Sequence, residues 1–284
     1  MTDGWQPSAI QQDRIAYRRS RTLRSASIAA VSTVAVLVVL AVAVSRTPGW
    51  PRVKETFFDI HYGWQVLPDV AKGLWLNVQV MVVAEIAILI LGLLLASVRT
   101  LRGPVSFPLR AAATAYVDIF RGLPLLIVIL LCGFGVPALG LHGVTISVRF
   151  WGTVALVLTY TAYVAEVLRA GMESVHPSQR AAARSLGLSH LQTLRYVVAP
   201  QGIRRVVPAL LNDLVSLQKD SGLISLLGVT DAIQAAQIHV AQTFNETPLI
   251  VAALLFVLLT IPMTRFTDWV ARRQGANLVG GGVV

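Results

Sequence analysis

The sequence predicts an all-α polytopic membrane protein with six transmembrane helices, and three observations carry that expectation. Hydrophobic residues make up 55% of the 284 residues and charged residues only 13%, about half the charged share of an average soluble protein. A soluble chain of this size needs a charged surface that this composition does not supply, while apolar residues are too plentiful for disorder. The third observation is order along the chain. Apolar residues come in long uncharged runs separated by basic stretches, the arrangement that spans and orients in a bilayer.

The net charge is +10, from 24 Lys+Arg against 14 Asp+Glu. Because these positives sit between apolar runs, they point to orientation in a lipid bilayer and not to nucleic-acid binding. The single Cys132 excludes an internal disulfide framework and any cysteine-based zinc cluster.

Residues 1–25 form a basic tail carrying Arg14, Arg18, Arg19, Arg21 and Arg24. Residues 26–44 then run without a charge, long enough for a membrane helix. Ala41-Val42-Ala43 resembles a signal-peptide cleavage site, yet a signal peptide's apolar region spans only about 7–15 residues. An uncleaved accessory helix over residues 26–45 is therefore expected. Residues 46–70, mixed in charge and carrying Trp50 and Trp64, read as an external loop near the interface. A second helix is expected over residues 74–97, interrupted only by Glu85 and followed by Arg99, Arg102 and Arg110. The third covers residues 112–136, after which Pro137 and Gly140 lead into an outside loop; Gly133 and Gly135 already disturb its end. The fourth covers residues 150–168.

A polar stretch, residues 170–204, precedes a fifth apolar segment that starts at Val206 and breaks at Lys219-Asp220-Ser221-Gly222. The sixth, residues 247–264, is charge-free and followed by Arg265, Arg272 and Arg273, with a short tail over residues 273–284. With both termini cytoplasmic, 18 of the 24 basic residues lie in or beside cytoplasmic segments. Five are in the first tail, four between Arg99 and Arg121, six between Arg169 and Arg205, and three at the end. The loop between the last two helices has no Lys or Arg, which favours this orientation.

Residues 174–202 carry a distinct pattern. Pro177 suits the first position of a helix and Gly187 its left-handed stop. Ser189 with Gln192 forms a capping box for a second short helix, on which Leu191, Leu194 and Val198 are expected to share a face. Pro200 is then expected to force an exit. The small residues Ala181, Ala182 and Ala183 allow close approach. Two readings stand: an amphipathic loop lying on the bilayer, or a rigid elbow gripped by a cytoplasmic partner.

Charges within apolar segments need a partner or a wet cavity, since one at mid-bilayer costs about 2.5–3.5 kcal/mol on insertion scales. At 100° per residue, Asn212, Asp213, Ser216, Lys219 and Asp220 fall within one arc, with Gln218 outside it. They either form a neutralised cluster through Lys219 with Asp220 or Asn212, or line a solute path. The helix break at Ser221-Gly222 favours the path, because broken spans are tolerated where they line a cavity or lie buried in protein. Tyr163 and Glu166 share a face of the fourth helix, and Arg169 is placed to pair with Glu166. Asp118 and Arg121, also three apart, read as a similar pair, structural or in the path. Glu85 has no partner nearby in sequence.

No phosphate-binding loop, H-E-x-x-H or G-x-S-x-G motif occurs, so no catalytic residue is assigned, and no cofactor or metal ligand set is expected.

Four ordered motifs resemble the permease subunits of ATP-binding-cassette importers, in their polar amino acid branch. The family pattern Gly-Gln-x-Glu-Ala-Ala-x-x-Leu-Gly is matched by Ser178-Gln179-Arg180-Ala181-Ala182-Ala183-Arg184-Ser185-Leu186-Gly187, and Leu-Pro-Gln by Ala199-Pro200-Gln201. Phe120-Arg121-Gly122-Leu123-Pro124, Ala162-Tyr163-Val164-Ala165-Glu166 and Lys219-Asp220-Ser221 also match. Ala181 replaces the family's acidic residue and Ser178 its glycine.

The resemblance implies a five-helix type I permease core over residues 71–272, with the first helix as an addition. It further implies a separate ATPase docked through Gln179, Ala181, Ala182, Gly187 and Pro200, with ATP bound there and not on this chain. An extracytoplasmic amino-acid-binding protein and a second permease chain, identical or related, complete the expected assembly in a bacterial inner membrane. The implied substrate is glutamate, glutamine, arginine or a similar amino acid. An ion-coupled secondary transporter would leave the elbow unexplained, and a non-transporting membrane adaptor would need no polar stripe.

Overall fold

Each long apolar run is helical in the computed structural model, which describes residues 8–101 and 103–279. Arg102 and residues 1–7 and 280–284 of the two expected tails lie outside the described residues. The chain divides into two units, Met1–Thr56 and Phe57–Val284. The first consists mainly of α1 (Ala9–Ser45), opened by a capping box in which the Gln11 amide donates to Ser8 Oγ and the Ser8 amide to Gln11 Oε1. Its stretch Arg24–Ser45 is long and apolar enough to cross a membrane. A short helix, α2 (Trp50–Phe57), follows.

The second unit starts with α3 (Ile60–Arg99), whose 40 residues span roughly 60 Å at 1.5 Å per residue. That is about twice a bilayer's hydrocarbon core. Residues 46–70, expected as a loop, are thus largely helical. Asp59 caps α3 by accepting the Tyr62 amide at 3.0 Å. The helix continues through Pro68, despite the lost backbone hydrogen bond, because Val66 and Val70 are buried against Ala232, Ala236 and Ala252. Mixed charge hid this helix from the sequence, since its buried face consists of few and small residues.

The third expected helix is not straight. Helix α4 (Phe107–Gly122) meets α5 (Leu125–Leu130) at a bend of 105°. Pro124 explains it: proline excludes the helical conformation from the residue before it, and Leu123 is extended at φ −89°, ψ 135°. A π-helical turn at Leu131–Gly135 then leads into the short α6 (Val136–Ala138). Helix α7 (Val148–Glu173) is the central member, capped by Ser147. Two short helices follow, α8 (Pro177–Ser185) and α9 (His190–Thr193), then a π-helical turn at Leu194–Val198 and α10 (Ala199–Asp220). A 3₁₀ turn at Ser221–Leu227 separates α10 from α11 (Ala232–Thr243), and α12 (Thr247–Val279) ends the described chain.

Four stretches are long and apolar enough to cross a membrane singly: Arg24–Ser45, Trp50–Arg99, Val148–Glu173 and Thr247–Arg273. Two bent pairs, Phe107–Gly122 with Leu125–Ala138 and His190–Leu227 with Ala232–Thr243, make six if each pair is one crossing.

The core is a seam of α3, α7 and α10, where Ala84, Ile88, Leu156 and Leu217 are fully buried together with Ile224 of the 3₁₀ turn. Helices α7 and α10 cross at Gly171 and Gly202. A Cβ on Gly171 would stand 2.8 Å from the Gly202 carbonyl oxygen, and one on Gly202 would stand 2.9 Å from the Gly171 oxygen. Small residues at such crossings let membrane helices approach closely. The outer faces stay apolar and exposed, with Val83, Ile86 and Ile90 on α3 and Leu254, Leu258 and Ile261 on α12. An outer surface of that kind suits hydrocarbon.

Candidate functional site

Helix α10 divides the polar arc expected from the sequence. Asp213, Ser216 and Asp220 are half-buried, whereas Asn212 and Lys219 are exposed. Tyr160 of α7 donates from its hydroxyl to Asp220 Oδ2 at 2.7 Å and stacks edge-on with Tyr163 at 6.1 Å. Asp213 lies within electrostatic reach of Glu85 on α3 and of Tyr160, and its Oδ2 is buried without a hydrogen-bond partner among the described residues. Glu85, isolated in the sequence, thus finds its neighbour on another helix.

Lys219 does not join this group. It borders a groove with Ile233, Leu249 and Phe256, and it makes no ion pair among the described residues. The neutralised Lys219–Asp220 or Lys219–Asn212 cluster is therefore not formed. Consecutive residues on a helix point about 100° apart, which turns Lys219 away while Asp220 reaches Tyr160.

A second polar group lies where the helix breaks after Asp220. Asn77 of α3, 1% exposed, donates through Nδ2 to the Ser221 carbonyl at 3.0 Å and to Asp231 Oδ2 at 2.9 Å. Its Oδ1 accepts the Ala232 amide at 3.1 Å, and Asp231 Oδ1 caps α11 by accepting the Gln234 amide. The hydroxyl of Ser221 donates to the Gln218 carbonyl. Gln218, outside the predicted arc, is 1% exposed and accepts from Thr260 of α12. Backbone groups freed by the break are thus held by side chains, as a water-poor interior requires. Sequence reasoning missed Asn77, Asp231 and Gln218. A lone Asn in an apolar helix and an Asp three residues before Gln234 were the available signals.

At the ends of α3 and α7 lies an ion cluster. Arg169 pairs with Glu166, as the spacing predicts, and also with Glu173 at 2.6 Å. Arg99, 67 residues from Glu166 in sequence, reaches the same carboxylate at 2.6 Å with its side chain only 11% exposed. Glu166 is thereby committed to two guanidinium groups. The expected Asp118–Arg121 pair is not formed, since both residues are exposed and no ion pair joins them among the described residues. An exposed pair gains too little to offset the entropy of fixing two side chains.

The elbow begins as the sequence predicts. Pro177 opens α8, and Gly187 takes the left-handed conformation at φ +84°. The Gly187 amide donates to the Arg184 carbonyl and the Leu188 amide to the Ala183 carbonyl, the bond pair of a glycine helix stop. Ser189 and Gln192 form the predicted capping box. Ala183 is buried, leaving Gln179, Ala181 and Ala182 exposed on the open side of α8. Arg180 donates to the Met172 carbonyl and Arg205 to that of Ser174, which ties the elbow to the end of α7.

Two expectations fail here. Pro200 does not force an exit: it stands in the first turn of α10, where a missing N–H is tolerated, and the π-helical turn carries the chain into it. Leu191 is exposed while Leu194 packs on the core and Val198 is buried. The wider π turn shifts the phase of that face.

A bent helical bundle packed through small residues, with a capped helical elbow and a buried, unpartnered Asp213 oxygen inside, is the architecture of a polytopic membrane component. The chain belongs to the family described as binding-protein-dependent transport system inner membrane component, which matches residues 88–275. It is 33% identical over 215 residues to the arginine transport system permease protein ArtQ of Bacillus subtilis, covering 74% of this chain and 94% of that one. It is 34% identical over 209 residues to a putative glutamine transport system permease protein, GlnP, of Rickettsia conorii, with coverages of 73% and 94%. Among solved structures, an amino acid ABC transporter crystallised with histidines is 30% identical. Its TM-score is 0.69, with 76% of this chain and 98% of that chain covered.

Proposed function

We propose that this permease subunit serves an ATP-driven importer of a polar amino acid and moves it by alternating access. Residues 71–272 act as the core, with residues 26–45 as an accessory helix, both termini in the cytoplasm and the whole in a bacterial inner membrane. A separate ATPase docks on the elbow, residues 174–202, through Gln179, Ala181 and Ala182 on the exposed side of α8. Gly187 and Pro200 keep the elbow's shape. An extracytoplasmic binding protein delivers the amino acid, and a second permease chain, identical or related, completes the path. Closure of the ATPase pair draws the elbows together and turns the path outward, and hydrolysis resets it.

The observation that carries this reading is Asp213, whose buried oxygen has no partner among the described residues and which lies within electrostatic reach of Glu85 and of Tyr160, itself bonded to Asp220. Charges kept without partners inside a membrane mark solute routes. Asp213, Ser216, Asp220 and Tyr163 line the path on this reading, with Glu85 added and Asn212 at its exposed edge, while Ser221 is fully buried in the helix break and Lys219 turns towards the groove by Phe256. Glu166 serves the bundle through its two arginines. An excess of carboxylates suits a solute carrying an ammonium or guanidinium group.

Reconstitution of this chain with a cognate ATPase and an amino-acid-binding protein tests the reading. Amino acid uptake into vesicles that requires all three supports it, and uptake that persists without the ATPase contradicts it. In the same vesicles Gly187→Asp is expected to cut uptake at least about tenfold while ATP hydrolysis continues, because a side chain at φ +84° distorts the helix stop.

A further inference from the structure

Beneath the elbow lies a cavity of about 590 Å³ whose wall includes the end of α3, Arg110 of α4, the end of α7 and both elbow helices. That volume suits a headgroup-sized ligand. Its charge is not balanced. Arg99 and Glu173 also face it, but with Arg169 and Glu166 they form the neutral cluster described above. Arg110, Arg180 and Arg184 remain, and none of them has a carboxylate partner among the described residues. Arg110 and Arg180 spend one N–H each on a backbone carbonyl, those of Leu101 and Met172.

Two donors in the wall are buried and unsatisfied. Arg180 Nε has no acceptor, and neither has the hydroxyl of Thr193, a residue only 4% exposed. Buried polar groups normally find partners, and three unmatched guanidiniums, one of which carries the orphaned Arg180 Nε, together with the Thr193 hydroxyl call for one anionic acceptor. Arginine forks match the oxygens of phosphate groups, and basic pockets between membrane helices bind anionic headgroups.

We propose that this cavity binds a phosphate group, a diester on an anionic phospholipid of the adjacent leaflet or a free phosphate. The bound group bridges Arg110 of α4, Arg180 and Arg184 of α8 and the Thr193 hydroxyl. It thereby stiffens the elbow against the bundle, so the anion around the protein tunes how firmly the elbow transmits motion.

The test uses the purified full chain in a neutral detergent, with thermal unfolding followed by tryptophan fluorescence. Phosphatidylglycerol, phosphatidylcholine and inorganic phosphate are titrated separately against equal ionic strength of chloride. Phosphatidylglycerol or phosphate is expected to raise the midpoint where phosphatidylcholine and chloride do not. Stabilisation by the lipid alone names the headgroup as the source, and by phosphate alone the free anion. Arg184→Gln, at an exposed side chain, is expected to weaken apparent affinity about tenfold or more, the effect of one charge-assisted hydrogen bond. Arg180→Gln repeats the test from the buried wall. No stabilisation by either anion, or affinity unchanged in both variants, overturns the proposal.

Discussion

The bundle holds two sets of charged side chains in opposite ways. Where α3 and α7 end, Arg99, Glu166, Arg169 and Glu173 cancel one another, each carboxylate meeting a guanidinium within 2.6 Å. Fourteen residues earlier along α3, Glu85 lies within electrostatic reach of Asp213, which in turn lies within reach of Tyr160 and its bond to Asp220, and no Lys or Arg pairs with these carboxylates among the described residues. The first set joins two helices in a fixed geometry and leaves nothing over for a solute. The second keeps ionisable groups without a basic partner where a membrane makes charge costly, which suits groups that wait for an incoming partner. Satisfied charge marks structure here and unsatisfied charge marks the route.

That contrast is open to attack from the structural side first. Glu166→Ala leaves Arg99 without its carboxylate. Loss of one partner from a buried pair costs about 3–5 kcal/mol, and the 22% exposure of Glu166 places the expected loss near the lower end. A drop in the thermal midpoint and in folded yield checks this. Asn77→Leu comes next. It removes three hydrogen bonds around the helix break and strands Asp231 Oδ2, with an expected cost of about 2–3 kcal/mol, read by the same unfolding assay. Hydrogen exchange should rise at Ser221–Leu227 and at the start of α11. Asp118→Asn is the smallest, below about 0.5 kcal/mol, since the exposed residue has no ion pair to lose.

What the sequence made legible follows from how far apart the interacting residues are. The glycine stop at Gly187, the capping box at Ser189 and Gln192 and the Glu166–Arg169 pair are each encoded within a turn or two, and all are present. The break after Asp220 was equally local, a glycine following polar residues. Arg99 with Glu166, and Asn77 with Asp231 and Ser221, join residues 67 to 154 positions apart, and only the packing of α3 on α7 and α11 brings them together. The helical arc on α10 identified which residues share a side but not which helix faces them, so it grouped Lys219 with Asp220 and passed over Gln218. Pro200 misled for another reason: the same residue that ends one helix suits the first turn of the next.

The central claim rests on Asp213, whose replacement separates the two kinds of charge most directly. With Asp213→Asn in vesicles holding the complete importer, the account predicts a stability within about 1 kcal/mol of the parent, because the buried oxygen has no partner to lose. It also predicts amino acid uptake at least about tenfold lower. Normal uptake with an unchanged midpoint, or a loss of uptake that merely follows unfolding, would contradict it.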